Sequence, residues 1–483
     1  MRILLINPVH NEVYSKVPSA QSISPPLGLT YLASFTRSRG YEVNLIDAAA
    51  LNMSNKVLET TLRGREFDVV GVSSMTPSIH RSADVLEMAK TINPSCFTIM
   101  GGPHATAVPE ETLRYFPFVD YVALGEGEMT FIELIGSLSN GSDPEKITGL
   151  AYLNNGEYHN GGKRELIKDL DAMPLPAFDM LPMHKYCLPA HHTSYGGYYN
   201  LKPFFLTLTS RGCPYNCTFC ASPIMWGRMV RFRGVDKILE EIDILVNEYG
   251  VRCLEFADDI FTLKKNRMHE ILDRIIDNEY RISFNCLSRV DAVDRDMLLK
   301  LKQAGCYLIR FGIESGSQKM LDKMKKGTRI EQIKDTFKLL NKVKIHSLAT
   351  FIIGHPGETR ETVLETIKLA KSIKPSAALF FNMVPLVGTE SCDMVSKNNL
   401  IITENWFHWK QIADIPFVRT EELTGDEILE LRKLAFRKFY FTPYFMLKTL
   451  ISIRSIAQLK FYINGLKAIC RIVISKSVNK KKD

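Results

Sequence analysis

The sequence predicts an α/β protein with more than one domain, because two series of short apolar strands alternate with helical segments. The first series predicts a doubly wound parallel sheet of the flavodoxin or Rossmann type in residues 1–145. The second predicts a partial (βα)6 barrel of the TIM type in residues 201–420, and residues 146–200 connect the two. Residues 421–483 form a basic helical C-terminal region. A chain of 483 residues is long enough for two or three such domains.

The first sheet is predicted from five apolar segments. These strands are Arg2–Ile6, Glu42–Ile46, Asp68–Ser73, Cys96–Met100 and Asp120–Leu124. Between them, Leu27–Arg39 and Ser78–Lys90 carry apolar residues at helical intervals. Ligands of doubly wound sheets bind at the carboxyl ends of the strands, so the loops that follow these strands form the predicted binding edge.

The connector is predicted to contain a β-hairpin. Asn154-Asn155-Gly156 is a turn sequence that typically joins two antiparallel strands, here Leu150–Leu153 and Glu157–Asn160. Residues 171–182 are rich in Pro and lack helical periodicity, so no helix is predicted there.

The barrel is predicted from six further apolar segments. These strands are Phe204–Thr209, Arg252–Ala257, Ile282–Cys286, Tyr307–Ile313, Leu348–Ile353 and Ala378–Val384. Helices are predicted between them, for example at Val235–Glu248 and Ile330–Val343. Barrel enzymes place their chemistry at the carboxyl ends of the strands, which makes the loops after these segments the second candidate site.

Composition and charge indicate an ordinary globular protein, with 45% hydrophobic and 24% charged residues. The apolar run from Met1 ends at Pro8, so no secretory signal is predicted. We therefore expect a cytoplasmic location, with peripheral contact to the inner face of a membrane as a further option. From Arg432 onward, thirteen Lys or Arg accompany one acidic residue, whereas the net charge of the whole chain is +8. The rest of the chain is therefore acidic on balance, and no nucleic-acid partner is predicted.

The ten cysteines comprise seven isolated residues and one tight group. The isolated residues are Cys96, Cys187, Cys253, Cys286, Cys306, Cys392 and Cys470. The group, Cys213, Cys217 and Cys220, directly follows the first barrel strand. In a long intracellular chain, one such group indicates a metal site rather than a disulfide framework.

The spacing of the three grouped cysteines suits an iron–sulfur cluster. Intervals of three and two residues let one short loop bind three corners of a [4Fe–4S] cube through thiolates. The fourth iron then has no protein ligand, so the amino and carboxylate groups of a small molecule can chelate it. The alternative is a zinc site, which usually has four protein ligands, with His191 or His192 as the fourth.

Cys213-Pro-Tyr-Asn-Cys217-Thr-Phe-Cys220 matches the CxxxCxΦC signature and resembles the radical S-adenosylmethionine (SAM) superfamily. The resemblance continues through Asp258–Phe261, Gly312–Gly316 and Gly354–Thr359, in the order of the family's SAM-binding segments. It implies that Asp258 or Asp259 meets the SAM amino group, Arg289 the carboxylate and Glu314 the ribose. The implied SAM contacts are Phe219, Asp258, Asp259, Arg289, Glu314, Gly354, Pro356 and Gly357.

The first domain resembles the cobalamin-binding domain that is fused to one large class of radical SAM enzymes. Pro25–Gly28, Gly101–Thr106 and Gly125–Glu128 match that class in order and spacing. The implied cobalamin contacts are Asn7, Pro8, Gly28, Ser73, Ser74, Thr76, Gly101, Gly102, Pro103, His104, Gly125, Glu126 and Gly127. The alternative is a doubly wound domain that has lost this ligand or binds a nucleotide.

The sequence after the first strand differs from that of many cobalamin domains at the residues that would bind cobalt. Those domains carry a D-x-H-x-x-G motif whose His binds cobalt, whereas this chain has Asn7-Pro8-Val9-His10-Asn11-Glu12 after its first strand. We therefore expect a cobalamin without a protein histidine ligand. His10, His80 and His104 lie near the predicted edge, but we expect each to be a surface or supporting residue.

Over its full length the chain most resembles the cobalamin-dependent group that includes the anaerobic magnesium-protoporphyrin IX monomethyl ester cyclase. The resemblance implies that a [4Fe–4S] cluster cleaves SAM reductively to a 5′-deoxyadenosyl radical, which removes hydrogen from an unactivated carbon. Methyl transfer, or cyclisation or oxidation, then follows with cobalamin. The implied partners are a small-molecule substrate, with a hydrophobic one as an option, and an electron donor such as flavodoxin or ferredoxin.

Two other functions were weighed. Methylthiotransferases that act on tRNA or protein carry a second group of three cysteines in their amino-terminal domain, whereas only Cys96 and Cys187 precede Cys213 here. A non-catalytic corrinoid sensor or a zinc-stabilised binding module would not need the ordered SAM segments. Both are therefore disfavoured.

The C-terminal region is predicted to contain amphipathic helices. Thr442 and Pro443 are typical of an N-cap and a first helical residue. One apolar stripe follows, bordered by Lys460, Lys467 and Arg471, and its members are Ile456, Leu459, Ile463, Leu466, Cys470 and Val473. We expect the stripe to pack on the barrel. The alternative is contact with an anionic membrane surface.

Overall fold

The computed structural model of the chain describes residues 1–9, 23–186, 203–403 and 416–474. Cys187 and three histidines considered above, His10, His191 and His192, lie outside these ranges.

The first sheet contains the five predicted strands and the hairpin. Its strands are β1 (Arg2–Asn7), β2 (Glu42–Asp47), β3 (Val69–Ser73), β4 (Phe97–Gly101), β5 (Tyr121–Ala123), β6 (Leu150–Asn154) and β7 (Glu157–Asn160). Their order is β2-β1-β3-β4-β5-β6-β7, and β1 to β5 are parallel. The hairpin β6–β7 pairs antiparallel with β5 and so extends the sheet to seven strands, which the sequence analysis did not foresee.

Both faces of this sheet are covered, because its central strands are apolar on both sides. Leu4 and Ile6 pack into one core, whereas Ile3 and Leu5 pack into another on the opposite face. The covering helices are α1 (Leu27–Ser38), α2 (Asn55–Arg63), α3 (Ile79–Ile92), α4 (Pro103–Ala107), α5 (Pro109–Tyr115) and α6 (Gly127–Asn140). The predicted doubly wound architecture is confirmed.

The second sheet contains the six predicted parallel strands. They are β8 (Phe204–Thr207), β11 (Cys253–Phe256), β12 (Ser283–Ser288), β13 (Cys306–Glu314), β14 (His346–Ile353) and β15 (Ala377–Asn382), and they lie in chain order. The short antiparallel pair β9 (Ser210–Arg211) and β10 (Arg231–Phe232) follows β8. Phe204 of β8 and Ala377 of β15 share one inward-facing core, so the sheet curls into a partial barrel.

Helices cover the outside of the barrel. They are α8 (Val235–Asn247), α9 (Lys265–Asp277), α10 (Arg295–Gln303), α11 (Gln318–Lys323), α12 (Ile330–Val343) and α13 (Arg360–Ile373). Outward side chains such as Phe311, Phe351 and Phe380 pack with these helices in the largest core of the molecule. Two further helices in the described part of the chain contribute nothing to this outer core, namely α7 (Ser222–Trp226), between β9 and β10, and α14 (Glu390–Lys397), after β15. Because the strands are parallel, all loops that lead from a strand to the next helix lie at the same rim of the barrel. The predicted SAM segments lie in these loops.

The C-terminal region forms α15 (Gly425–Tyr440), α16 (Pro443–Ser452) and α17 (Ile456–Ile474). Thr442 accepts a hydrogen bond from the Phe445 N–H, which confirms the predicted N-cap. The expected packing of the α17 stripe is wrong for its first four members, because Ile456, Leu459, Ile463 and Leu466 are 43–75% exposed. The helix turns another face, which includes the buried Gln458, toward the protein and packs on α15. Among the described residues, no helix is long and apolar enough to cross a bilayer.

Candidate active site

The cysteine loop joins the short strand β9 to α7 at the rim of the barrel. Gly212 precedes it with φ +101°, and a side chain there would collide with the Met229 carbonyl oxygen. The Thr218 N–H donates to the Met324 carbonyl oxygen at 3.0 Å, which ties the loop to the segment after α11. Cys213, Cys217 and Cys220 are all half-buried free thiols.

The electrostatics of the loop keep the free thiols neutral. Burial raises the pKa of Cys213 and Cys217, and it raises the pKa of Cys220 to about 12. Lys326 and Arg289 partly oppose this rise at Cys217. Metal binding at this loop must therefore displace protons from the three sulfurs.

The three thiols of the cysteine loop lie near one another. Within the described ranges, no three Cys, His, Asp or Glu side chains lie close enough together to hold a single metal ion. The thiols nevertheless influence one another electrostatically, since Cys213 and Cys217 both act on the pKa of Cys220. In a cubane each of the three thiolates would bind a different iron.

Two cations flank the cysteine loop. The Arg289 guanidinium lies 3.5 Å from the Tyr215 ring centroid, pairs with Asp291 at 2.8 Å and donates to the Lys326 carbonyl oxygen. Lys326 is buried and its Nζ lies 2.9 Å from Glu314 Oε1. Sequence reasoning found Arg289 and missed Lys326, because Lys326 lies in a loop after α11 and not directly after a strand.

The neighbouring residues Asp258 and Asp259 have different environments. Asp258 is fully buried, and its carboxylate accepts hydrogen bonds from the Thr209 N–H at 3.1 Å and from the Thr209 and Ser210 hydroxyls. It is thus committed to holding the connection between β8 and β9. Asp259 is only partly buried, accepts from Ser222 and acts on the pKa of Cys213 and Cys220. The structure therefore brings Asp259, and not Asp258, to the cysteine loop.

Glu314 ends β13 with φ +68°, a conformation that non-glycine residues adopt at a cost. It is buried, and its partner is the Lys326 ammonium. The Glu314 carboxylate lies close enough to the cysteine loop to raise the pKa of Cys217.

The segment Gly354–Thr359 after β14, which we call the glycine segment, is connected to the cysteine loop by hydrogen bonds of a histidine side chain. His355 Nδ1–H donates to the Pro356 carbonyl oxygen at 3.1 Å, so Nε2 is an acceptor. Ser391 donates its hydroxyl proton to Thr218 at 2.9 Å, and the Thr218 hydroxyl donates in turn to Nε2 at 3.2 Å. Burial lowers the pKa of His355 to about 4, which keeps the ring neutral. Gly354 and Gly357 have φ of +92° and +79°, so glycine is required at both.

The loops at the predicted cobalamin-binding edge of the first sheet are connected to one another by hydrogen bonds. The Ser74 N–H donates to the Gly101 carbonyl oxygen at 2.8 Å, and the His104 N–H donates to the Ser74 carbonyl oxygen at 3.2 Å. A Cβ at Gly102, whose φ is +94°, would lie 2.5 Å from that same oxygen. Gly125 donates its N–H to Thr106 at 3.1 Å. The glycines therefore allow close contact between strand-end loops.

Other predicted cobalamin residues differ in accessibility. Gly28 is exposed at the start of α1 with open space around its Cα, and Asn7 donates to Asp47 at 2.8 Å. His104 is 1% exposed, its Nδ1 lies 3.1 Å from Thr76 Oγ1, and burial lowers its pKa to about 4. A side chain so buried cannot reach a metal above the edge, so the edge fits a cobalamin that takes no ligand from His104.

Glu126 is the clearest exception among the predicted cobalamin contacts. Its carboxylate accepts from Arg211 at 2.9 Å, from Arg231 at 2.7 and 2.8 Å and from the Ile167 N–H. Glu128 pairs with Arg211 at 2.9 Å, and these charged side chains are all at most 8% exposed. We call Glu126, Glu128, Arg211 and Arg231 the interdomain ion cluster. The Glu126 side chain joins the two domains and has no face open to a ligand.

Comparison with known proteins gives the same two-part division. The profile of the radical SAM superfamily matches residues 207–370, and that of the B12-binding domain matches residues 17–135. A protein named as an uncharacterised methyltransferase of Pyrococcus horikoshii is 37% identical over 448 residues, which cover 93% of this chain and 94% of that protein. The chain belongs to the cobalamin-binding radical SAM family.

Other members of this radical SAM family resemble the chain more distantly. The anaerobic magnesium-protoporphyrin IX monomethyl ester cyclase of Rubrivivax gelatinosus is 29% identical, with 78% of this chain and 67% of that enzyme covered. The structure of OxsB with aqua-cobalamin and SAM bound superposes with a TM-score of 0.73 at 19% identity and covers 98% of this chain and 71% of that one. The fold of this chain is therefore that of a cobalamin-dependent radical SAM enzyme.

The chain is accordingly an enzyme, and the cofactors of this radical SAM family are a [4Fe–4S] cluster, SAM and cobalamin. This assignment excludes the disfavoured alternatives of a sensor, a zinc module and a methylthiotransferase.

Proposed function

We propose that the enzyme transfers a methyl group to an unactivated carbon of a small molecule. The observation that carries this proposal is the junction of the two cofactor loops. Helix α7, which begins two residues after Cys220, packs on α4 of the first domain, and Gly125 lies beside the Met225 carbonyl oxygen. When bound, the cluster supplies an electron for SAM cleavage and cobalamin carries a methyl group. The similarity over nearly the whole chain to a protein named as a methyltransferase favours methylation over cyclisation.

The side chains at the barrel rim have distinct proposed roles. Cys213, Cys217 and Cys220 hold the cluster, and Phe219 packs beside them. Asp259 accepts the SAM ammonium group, because its carboxylate is the accessible member of the pair at 258 and 259. Arg289 and Lys326 supply positive charge for the SAM carboxylate.

The remaining SAM contacts are supplied by Glu314 and the glycine segment. Glu314 accepts hydrogen bonds from the ribose, and the left-handed glycines at 354 and 357 bring the backbone close to the adenine, with Pro356 between them. Asp258 and His355 act indirectly, since each holds a loop that carries contacting residues.

Cobalamin contacts are proposed at the edge of the first sheet. Its proposed lining consists of Asn7, Pro8, Gly28, Ser73, Thr76, Gly101, Gly102, Pro103, Gly125 and Gly127. Ser74 is fully buried and supports this lining through its hydrogen bonds to the Gly101 carbonyl oxygen. His104 supports Thr76 from behind, and Glu126 acts through the interdomain ion cluster. The proposed domain boundaries are those predicted from the sequence, except that the first domain extends to Asn160 because the hairpin β6–β7 pairs with β5. A flavodoxin or ferredoxin is the proposed electron donor.

An isotope experiment tests the proposed methyl transfer. The reconstituted enzyme, given SAM with a trideuterated methyl group, cobalamin, a reductant and an anaerobic metabolite extract, should yield a product that carries the labelled methyl group. Mass spectrometry detects this product, and enzyme without cobalamin is the matched control. A product that loses hydrogen without gaining the label would instead establish cyclisation or oxidation.

We further propose that the enzyme contacts an anionic membrane through its C-terminal helices. The apolar tail face of α16 and α17 is exposed, and its members are Met446, Leu447, Leu450, Ile451, Ile456, Leu459, Ile463 and Leu466. Exposed cations flank it, namely Arg454, Lys460, Lys467 and Arg471. An apolar face with cationic borders is typical of helices that lie in a membrane interface.

Vesicle flotation tests this membrane contact. Replacing Leu447, Leu450 and Leu466 with Glu should reduce flotation with phosphatidylglycerol vesicles about tenfold or more, because each Leu loses apolar burial and each Glu repels the surface. The matched control replaces Leu51, Val57 and Leu364, exposed apolar residues elsewhere, with Glu. Equal flotation of the two variants, or equal flotation of the unmodified protein with neutral phosphatidylcholine, would contradict the proposal.

A further inference from the structure

The interior of the barrel is accessible from its rim. Along β14, Thr350 and Ile352 are partly exposed whereas Phe351 and Ile353 are buried, and the same alternation runs along the neighbouring strands. Partly exposed inward residues are Leu206, Leu208, Glu255, Ala257, Leu287, Arg310, Thr350, Ile352, Leu379 and Phe381. We call the space that they line the lumen. It opens at the carboxyl ends of the strands, where the cysteine loop lies.

The wall of the lumen is mostly apolar. Leu206 and Leu208 line it from β8 and the residue beyond, and Leu379 and Phe381 line it from β15. Below these residues the lumen is closed by the inward core of Phe204, Cys253, Tyr307, Leu308 and Leu348. A ligand therefore enters from the rim and meets apolar side chains on its way down.

The floor of the lumen carries one ion pair. Arg310 of β13 pairs with Glu255 of β11, and their side chains keep 18% and 13% of their surface exposed. The strand register places Glu255 opposite Leu206 on one side and Asn285 on the other, so the pair is surrounded by apolar wall and a buried amide. The floor offers hydrogen bonds but no net charge.

Four of the charged side chains at the rim are paired in the same way, since Glu314 is matched by Lys326 and Arg289 by Asp291. Asp259, which accepts from Ser222, is the proposed partner of the SAM ammonium group. An ionised group that entered the lumen would lose its hydration and find no uncompensated opposite charge at the floor. A neutral hydrogen-bonding group would be stabilised by the polar floor without that cost.

We propose that the lumen binds an apolar substrate whose leading end is an uncharged hydrogen-bonding group, and that the Glu255–Arg310 pair selects for this neutrality. The inference rests on the proposed function, because it names the substrate class of the same enzyme. Arg310 and Glu255 are specificity-determining residues in this scheme, and they take no part in SAM cleavage.

Three ten-carbon probes test the proposal by isothermal titration of the reconstituted full-length enzyme. Decanol should bind about tenfold more tightly than decanoate or decylammonium, because the floor is neutral. Glu255→Gln leaves Arg310 unmatched and should reverse the preference between decanol and decanoate. Arg310→Gln leaves Glu255 unmatched and should move the preference to decylammonium.

The two opposite shifts keep the test decisive if one variant does not fold. The matched control is Glu110→Gln, which changes the net charge equally at an exposed ion pair with Arg114 and should leave the probe ranking unchanged. A preference for decanoate in the unmodified enzyme, or variants that keep the ranking of the unmodified enzyme, would overturn the proposal. Each preparation is also assayed for SAM cleavage. An enzyme that cleaves SAM but shows no shift refutes the lumen proposal alone, whereas an enzyme that cannot cleave SAM refutes the proposed function.

Discussion

Replacing Cys213, Cys217 and Cys220 together with Ala is expected to give a folded protein without an iron–sulfur cluster and without SAM cleavage. The three half-buried thiols are the proposed protein ligands of the cube, so their removal leaves it unbound. Iron analysis of anaerobically prepared enzyme should fall from about four atoms per chain, as for a cubane, to background. Chromatographic detection of 5′-deoxyadenosine after reduction should fall to background with it.

A matched three-cysteine variant controls for the number of substitutions. Cys253, Cys286 and Cys306 are at most 4% exposed in the barrel core, so their joint replacement with Ala should keep the iron. If the Cys213, Cys217 and Cys220 variant retained its iron and its 5′-deoxyadenosine production, the assignment of the cluster site would be wrong.

Glu126→Ala is expected to destabilise the enzyme by about 3–5 kcal/mol, the range for removing one partner of a buried ion pair. Arg211 would keep Glu128, but Arg231 would lose the carboxylate of its ion pair and keep only hydrogen bonds to the Ile167 and Trp226 carbonyl oxygens. Urea denaturation, followed by circular dichroism, measures the change in free energy of unfolding.

The matched control for this prediction is Glu133→Ala, at a more exposed pair with Arg164. An exposed ion pair contributes about 0–1 kcal/mol, so this variant should unfold close to the unmodified enzyme. Equal unfolding midpoints for the two variants would show that the interdomain ion cluster does not stabilise the structure.

The sequence predicted the strands well because their periodicity is a local property. All five parallel strands of the first sheet lie within one residue of the prediction, and the barrel strands lie within two. The cysteine loop was also predictable, since three ligands at short spacing need no tertiary information. The attachment of the hairpin to β5 was not, because pairing between strands distant in the chain leaves no local pattern.

The errors in the candidate site have a similar origin. Asp258 and Asp259 are adjacent, and neighbouring residues at a strand end point to opposite sides, so the sequence cannot decide which faces the cluster. Glu126 follows a strand as a ligand contact would, yet its partners Arg211 and Arg231 are 85 and 105 residues away. The exposure of the α17 stripe likewise depends on how that helix docks, which its amphipathic pattern does not encode.

The most direct test of the account is electron paramagnetic resonance of one reduced sample of the full-length enzyme with cobalamin and SAM. The account predicts a reduced [4Fe–4S] signal that shifts when SAM is added, because SAM binds the open iron. It also predicts a cob(II)alamin signal without splitting from a protein nitrogen, because no protein histidine binds cobalt. A cluster signal indifferent to SAM, a cobalt signal whose nitrogen splitting changes when the protein histidines are labelled with 15N, or a protein that retains no corrinoid would contradict it.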